Sequence, residues 1–86
     1  MPTPAIQHDP QRQRFEFDLD GMCGALEYRI SGGFLTILHT EVDPALAGRG
    51  LGGQLVEAAL AYADEAGLQV DSRCGFATRY LQARAS

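Results

Sequence analysis

The chain has 86 residues, of which 45% are apolar and 21% charged, a composition that fits one small globular domain and argues against a disordered or fibrous protein. Its net charge of −4 provides no broad positive field, so we expect neither a nucleic acid nor an anionic membrane as a partner. No apolar run approaches the roughly 20 residues that span a bilayer, and the N-terminal segment lacks the apolar core of a signal peptide. We therefore expect a cytoplasmic location.

Cysteine and histidine are too sparse to indicate a metal centre. Cys23 and Cys74 have no metal-ligand spacing, and the two histidines lie far apart in the sequence. In a chain without an export signal, two cysteines are expected to be free thiols. We expect no metal, and we expect Cys23, in the middle of a predicted strand, to be a core residue.

The first half of the chain predicts an antiparallel meander. Residues 1–13 hold three of the four prolines and form an arm or an irregular first strand. The alternating segment "FEFDL" at 15–19 has the period of a half-buried strand. Asp20-Gly21 is typical of a type I′ hairpin turn, because both residues must adopt positive φ, and the next strand is predicted over 22–30.

A second turn, "SGG" at 31–33, leads into a strand predicted over 34–42, which is rich in β-branched and aromatic residues. After a glycine-rich segment, apolar residues recur at helical spacing from Leu51 onward. Gly67 stands where a helix commonly ends in a left-handed residue. The sequence therefore predicts one long helix after the meander.

The last 19 residues predict one more strand and one more helix. The short apolar run "LQV" at 68–70 fits a strand parallel to the one at 34–42, connected through the long helix. Residues 75–83 can form a short closing helix. The whole chain, residues 1–86, is thus predicted to be a single α+β domain in which an antiparallel meander is followed by α-β-α.

The segment "GRGLGG" at 48–53 opens the predicted helix with four glycines. The first amides of a helix have no intrahelical partner and, with the helix dipole, attract an anion. No Ser, Thr, Asn or Asp is present to cap this helix, and Arg49 adds a positive charge. Four glycines weaken a helix by roughly 1 kcal/mol each relative to alanine, which requires a compensating reason.

Several reasons for the glycines compete. A P-loop is excluded, because no Lys-Ser or Lys-Thr pair follows the second glycine. Gly48, Gly50 and Gly53 satisfy the dinucleotide pattern, with Asp71 about 20 residues further on, but too few residues remain for the required βαβ units. A flexible loop with a glycine-tolerant packing contact is a further alternative. The pyrophosphate of coenzyme A is another.

Residues 38–70, "LHTEVDPALAGRGLGGQLVEAALAYADEAGLQV", followed by a cysteine, resemble the small acyl-CoA N-acyltransferase-like proteins of the GNAT superfamily. These proteins share an HTEVP core, a GxGxG segment and a cysteine followed by an aromatic residue. The resemblance also includes "RFEFDLDG" and "LEYRI", so it covers about residues 6–82. It implies a minimal GNAT-like fold in which the strands at 34–42 and 68–70 splay apart.

The resemblance also implies acetyl-CoA as the cofactor. Its pyrophosphate would lie on the backbone amides of residues 49–53, that is Arg49, Gly50, Leu51, Gly52 and Gly53. Its pantetheine arm would pair with backbone near Glu41 and Val42, where an amide could polarise the thioester carbonyl. The superfamily signature begins with Gln or Arg, but this chain has Ala47 there.

Three side chains are candidate catalytic residues. His39 and Glu41 lie two apart on one strand and share a face, so either could act as a general base, or His39 could simply be structural. Cys74 matches the cysteine of the small relatives, and a helix start should lower the pKa of its thiol. It could be a nucleophile or a buried packing residue. Tyr80 could protonate a leaving thiolate or belong to the core.

Two functions are compatible with these residues. One is an N-acetyltransferase that transfers acetyl from acetyl-CoA to a small-molecule or peptide amine. The other is a non-catalytic or regulatory acyl-CoA-binding module. We expect a monomer or weak dimer in either case.

Overall fold

The computed structural model describes residues 4–85. Five strands form a single sheet whose order follows the sequence, and two α-helices and one 3₁₀ helix lie in the second half of the chain. Their bounds are β1 Gln7–Asp9, β2 Arg14–Leu19, β3 Met22–Ser31, β4 Phe34–Val42, η1 Pro44–Leu46, α1 Leu51–Ala66, β5 Gln69–Ser72 and α2 Gly75–Ala85. Neighbouring strands pair antiparallel except β4 and β5, which are parallel. The predicted α+β architecture is confirmed.

The local predictions hold with small shifts. Asp20 and Gly21 have φ of 54° and 81°, as a type I′ turn requires, and β4 covers the predicted residues. Residues 7–9, within the predicted arm, form the edge strand β1, while residues 1–3 lie outside the described part. The last strand begins one residue later than predicted because the amide of Leu68 still bonds to Ala63 at the end of α1.

The core lies between the sheet and the two helices. Alternate residues of the three central strands turn one face toward α1 and α2, and the opposite face carries polar side chains. The large fully buried side chains are Leu26, Leu35, Ile37, Leu46, Leu55 and Val56. No helix within residues 4–85 is long and apolar enough to cross a membrane.

A β-bulge at Leu38 changes the face of the residues that follow it. Before the bulge Ile37 faces the helices and pairs with Tyr28, whereas after it His39 pairs with Glu27 and Thr40 with Leu26. The extra residue exchanges the two faces of the strand. Thr40 and Val42 therefore lie on the helix side, and His39 lies on the polar face.

The parallel pair is short, and this leaves part of β4 open. β5 pairs with β4 only from Phe34 to Ile37, and one further bond joins the Arg73 amide to the Ile37 carbonyl at 2.8 Å. The chain then leaves the sheet toward α2. Residues 38–42 consequently have a strand neighbour on the β3 side alone, and the edge of the strand opens beside the start of α1.

Candidate functional site

A cavity of about 430 Å³ lies between the open half of β4 and the first turn of α1. Two elements of the wall come from the sequence segment that precedes the helix: η1 places Leu46 in the core, and the glycine loop follows it. The lining residues are Thr40, Val42, Leu46, Ala47, Gly48, Gly50, Leu51, Gly52, Gly53 and Phe76. The cavity therefore joins the open strand edge to the helix start.

The start of α1 has no cap of its own. Its N-cap residue, Gly50, has φ of 73°, no side chain bonds to the first amides, and the first turn contains no acidic residue. The first amide that finds an intrahelical carbonyl is that of Gln54, which bonds to Gly50 at 3.1 Å. The amides at 51–53 are thus available to an anion. Arg49 is exposed beside them and forms no ion pair within residues 4–85.

The four glycines of this segment serve two different purposes. Gly48 and Gly50 have positive φ, which side chains rarely adopt. A Cβ on Gly52 would lie 2.8 Å from the Phe76 ring, and one on Gly53 would lie 2.6 Å from the Tyr80 ring. The packing contact that the sequence left as an alternative therefore explains Gly52 and Gly53, and the loop conformation explains the other two.

Backbone groups along the open edge of β4 alternate in direction. The Asp43 amide donates to the Cys23 carbonyl at 2.9 Å, so the amide of Asp43 faces β3. In an antiparallel ladder the amides of successive residues point to opposite sides of the strand. The amide of Val42 consequently points to the open edge, whereas that of Glu41 points into the sheet.

Cys74 lies between the open edge and the start of α2. The residue is 9% exposed, and the hydroxyl of Ser72 fixes the segment by accepting from the Cys74 amide at 3.2 Å and donating to the Cys74 carbonyl at 3.0 Å. Burial is the largest single influence and raises the pKa of the thiol. Hydrogen bonds from the amides of Ala77, Phe76 and Thr40, with the polar contact of the Thr40 hydroxyl, outweigh it. The pKa is lowered, as the helix start predicted.

The Thr40 hydroxyl is an unsatisfied buried polar atom of the cavity. No group within the described residues meets hydrogen-bond geometry with its oxygen, so the contact with the Cys74 sulfur is a weak one. A buried hydroxyl without a good partner is costly, and a polar ligand in the cavity would supply one. Sequence reasoning missed Thr40 because the bulge, which is invisible in the pattern, turns it toward the cavity.

His39 and Glu41 do share one face, and it is the polar face of the sheet. The His39 Nε2 lies 3.3 Å from a carboxylate oxygen of Glu41, and the two side chains are 58% and 79% exposed. The pair lies on the same five-residue stretch of β4 that has the open edge. The cavity and this pair thus flank the open edge from opposite faces of the sheet.

The prediction for Cys23 is wrong, and for Tyr80 the structure agrees with the core alternative. Cys23, predicted to be core, is exposed, because it shares the polar face with Glu27 and not the buried face of Leu26. The Tyr80 hydroxyl donates to Glu57 on α1 at 2.7 Å, which is the largest reason that its pKa is raised. Tyr80 therefore packs the two helices together and does not point its hydroxyl at the open edge.

The sequence profile described as GCN5-related N-acetyltransferase matches residues 14–86, which is most of the chain. The chain belongs to the GCN5-related N-acetyltransferase family. It is 34% identical over 80 residues to the protein NATD1 of Mus musculus, an alignment that covers 90% of this chain and 73% of that protein. NATD1 of Homo sapiens is 32% identical over 80 residues, with 90% and 71% covered.

The family's fold is also found by comparison of structures. The solution structure of a GCN5-like N-acetyltransferase candidate from Staphylococcus aureus superposes with a TM-score of 0.76 and 26% sequence identity, covering 98% of this chain and 83% of that one. The resemblance inferred from the glycine segment and the HTEV core is therefore confirmed. The comparisons thus show the family and the fold.

Proposed function

We propose that the protein binds acetyl-CoA in the cavity between β4 and α1 and transfers the acetyl group to an amine that approaches from the polar face of the sheet. One observation carries the proposal: the open strand edge and the uncapped helix start share a single cavity of about 430 Å³. An extended molecule with a polyanionic end and an amide-containing arm needs both features next to each other.

The residues of the cavity fit such a molecule. The free amides at 51–53 and the unpaired guanidinium of Arg49 suit the pyrophosphate. The backbone of Val42, on the open edge, suits the amides of the pantetheine arm in the manner of an added strand. The unsatisfied Thr40 hydroxyl provides a further polar group along the same path.

Bound acetyl-CoA supplies a thioester, whose carbonyl carbon accepts a nucleophile and whose sulfur leaves. The neutral amine of the acceptor forms the new C–N bond as the C–S bond breaks, and the thiolate so released takes up a proton. His39 or Glu41 accepts the proton that the amine nitrogen loses. An amide of β4 near Val42 stabilises the negative charge that develops on the carbonyl oxygen.

The second candidate is a non-catalytic acyl-CoA-binding module. The observation that favours it is the two-residue turn at Asp20-Gly21, which joins β2 directly to β3, so that no helix within residues 4–85 lies between these strands to cover the polar face of the sheet. An acceptor held on an open face has few groups to orient it. Multiple turnover with any amine would exclude this candidate.

Calorimetric titration with coenzyme A tests the binding site. Reversing the charge of Arg49 (Arg49→Glu) should weaken binding about tenfold or more, because a negative charge then faces the pyrophosphate. Arg79→Glu, at an exposed position of α2, is the matched control and should bind as the original protein does. Ala47→Arg, which restores the superfamily signature, should bind more tightly. Equal affinities in all four proteins would remove the pyrophosphate from this loop.

Substitution of the paired residues tests the proton path. His39→Ala and Glu41→Gln should retain coenzyme A binding, and at least one of them should lower kcat about 10²-fold with the best amine found. Full turnover in both variants would contradict the general-base role.

Intact-mass measurement after incubation with acetyl-CoA alone tests a covalent route, because a single acetyl adduct that disappears in Cys74→Ala would assign Cys74 as an intermediate acceptor.

A further inference from the structure

A second groove, of about 380 Å³, lies on the polar face of the sheet, away from the cavity described above. It is lined by two arginines, Arg29 of β3 and Arg73 directly after β5, and by Ser31, Thr36 and Leu38. Thr36 pairs directly with Arg29 across the β3–β4 ladder. The bond from the Arg73 amide to the Ile37 carbonyl fixes the other arginine beside the bulge.

The two guanidinium groups have no partner of their own. Within residues 4–85 neither Arg29 nor Arg73 forms an ion pair or a side-chain hydrogen bond. Asp71 pairs with Thr36 in the parallel ladder and so lies beside the groove, but its carboxylate accepts from the Ser72 amide at 2.8 Å and forms no ion pair with either arginine. One groove therefore contains two guanidinium groups without an ion-pair partner and two hydroxyls that can also donate, an arrangement that suits a carboxylate.

The opposite charge lies at the other end of the same strand pair. Glu27 and Glu41 project from the polar face beyond the bulge, and His39 lies between them in register with Glu27. Leu38, which is 38% exposed, separates these acids from the arginines. The two arginines thus lie on one side of Leu38, with Asp71 in register with Thr36, and the His39–Glu41 pair lies on the other side, with Arg14 in register with Glu27. The second side is close to the open edge where the proposed acetyl transfer takes place.

We propose that the acceptor is a small amine that also carries a carboxylate, bound with the carboxylate between Arg29 and Arg73, its carbon chain over Leu38 and its amine beside His39 and Glu41. Thr36 and His39 pair with Arg29 and Glu27, which are two residues apart on β3, so the two positions lie about 7 Å apart at about 3.3 Å per residue. An ω-amino carboxylate therefore fits better than an α-amino acid. This assignment rests on the acetyl transfer proposed above.

NMR titration of the ¹⁵N-labelled protein tests the groove without requiring turnover. 6-Aminohexanoate and 4-aminobutyrate are the probes, and the carboxamide of each is its neutral control. Each acid should shift the amide resonances of Arg29, Thr36 and Leu38 saturably, and its carboxamide should bind at least tenfold more weakly. Combined Arg29→Gln and Arg73→Gln should remove this preference, whereas Arg79→Gln on α2 should not change it. Equal shifts from acid and carboxamide would overturn the inference.

Acetyl-transfer kinetics with the same compounds separates this inference from the function on which it rests. A kcat/KM about tenfold or more above that of the carboxamide, lost in the double variant, would support the acceptor assignment. Turnover of amines without that preference would overturn the assignment and leave the acetyltransferase proposal standing. Specific binding of the acids without transfer of acetyl to any amine would show that the groove is not an acceptor site and that the proposed function is wrong.

Discussion

Two opposing influences act on the sulfur of Cys74. Its burial disfavours the thiolate, while the amides at the start of α2 and the amide of Thr40 favour it. The second influence prevails, so the pKa of the folded protein's thiol is lower than that of the unfolded chain. The same hydrogen bonds also hold the sulfur against β4, which makes Cys74 part of the joint between β5 and α2.

The pH profile of alkylation should report this shift. In a Cys23→Ser background, iodoacetamide should modify Cys74 with an apparent midpoint at lower pH than the midpoint of N-acetylcysteine, because the thiolate forms earlier. The absolute rate of alkylation should be slow, since Cys74 is a buried residue. Midpoints are therefore to be compared, not rates. A midpoint at or above that of the small thiol would contradict the hydrogen bonding described for Cys74.

The joint between α1 and α2 depends on two glycines and two rings. Phe76 and Tyr80 stack with their ring centroids 6.3 Å apart and cover the positions where Gly52 and Gly53 lack side chains. The Tyr80 ring is held by its bond to Glu57, whereas Phe76 is 40% exposed and can rotate away. Two neighbouring glycines thus tolerate a methyl group to different degrees.

In Gly53→Ala, overpacking against Tyr80 should cost about 1–3 kcal/mol of folding stability. The higher helix propensity of alanine offsets roughly 1 kcal/mol of that cost, so the variant should be less stable than the original protein. Gly52→Ala should be close to neutral, because the propensity gain compensates for a small rotation of Phe76. Urea unfolding of both variants measures the difference. If Gly53→Ala unfolds at the same urea concentration as the original protein, the Tyr80 contact is not as tight as the structure shows.

Glu57 connects the same two helices by charge. Its carboxylate accepts from Arg84 Nε and from the Tyr80 hydroxyl, each at 2.7 Å, and these bonds lower the pKa of Glu57, with Arg84 the larger cause. Because the folded-state pKa is below the unfolded one, the stabilisation is present above the unfolded value, about 4.3, and is lost as the pH falls through the folded value.

Glu57→Gln should therefore be less stable than the original protein at neutral pH, and the gap should narrow below about pH 4. Thermal unfolding followed by circular dichroism between neutral and acidic pH measures this. Glu65→Gln, at an exposed position of the same helix, is the matched control and should show no comparable narrowing. A gap for Glu57→Gln that does not change with pH would assign the loss to packing.

At the scale of the whole molecule the sheet separates two sets of groups. The helix face holds the uncapped amides of α1 and the Cys74 thiol, and the polar face holds the His39–Glu41 pair and the arginine groove. The open half of β4 connects them, since it lacks a strand neighbour on the β5 side and so has an accessible edge. The proposed cofactor and acceptor can therefore meet at the open edge from opposite faces.

Local patterns were sufficient for most of the fold. The alternation at 15–19, the Asp20-Gly21 turn and the cap at Gly67 each depend on residues that are neighbours in the chain, and the structure has all three. β1 was uncertain because it is three residues long and flanked by proline-rich chain. Its pairing with β2 is a tertiary contact that no local pattern encodes.

The candidate site was only partly predictable for the same reason. The glycine segment identified the helix start, and alternation placed His39 and Glu41 on one face. The bulge at Leu38 decides which face that is, and it depends on the register with β3. Thr40, Phe76 and the arginine groove come together from separate elements. The wrong prediction for Cys23 was avoidable, since Cys23 and Leu26 are three residues apart on one strand and alternation therefore places them on opposite faces.

Backbone amides that are neighbours along the open edge of β4 should exchange their hydrogens with solvent at very different rates. The amide of Asp43 is bonded to Cys23 and that of Glu41 faces β3, so both should resist deuterium exchange, whereas the amide of Val42 between them should exchange quickly. If coenzyme A pairs with this edge, it should slow exchange at Val42 far more than at its two neighbours. Rapid exchange that persists at Val42 in the saturated protein would place the pantetheine arm elsewhere. The exchange rate of the Val42 amide therefore reports whether a ligand has paired with the open edge of β4.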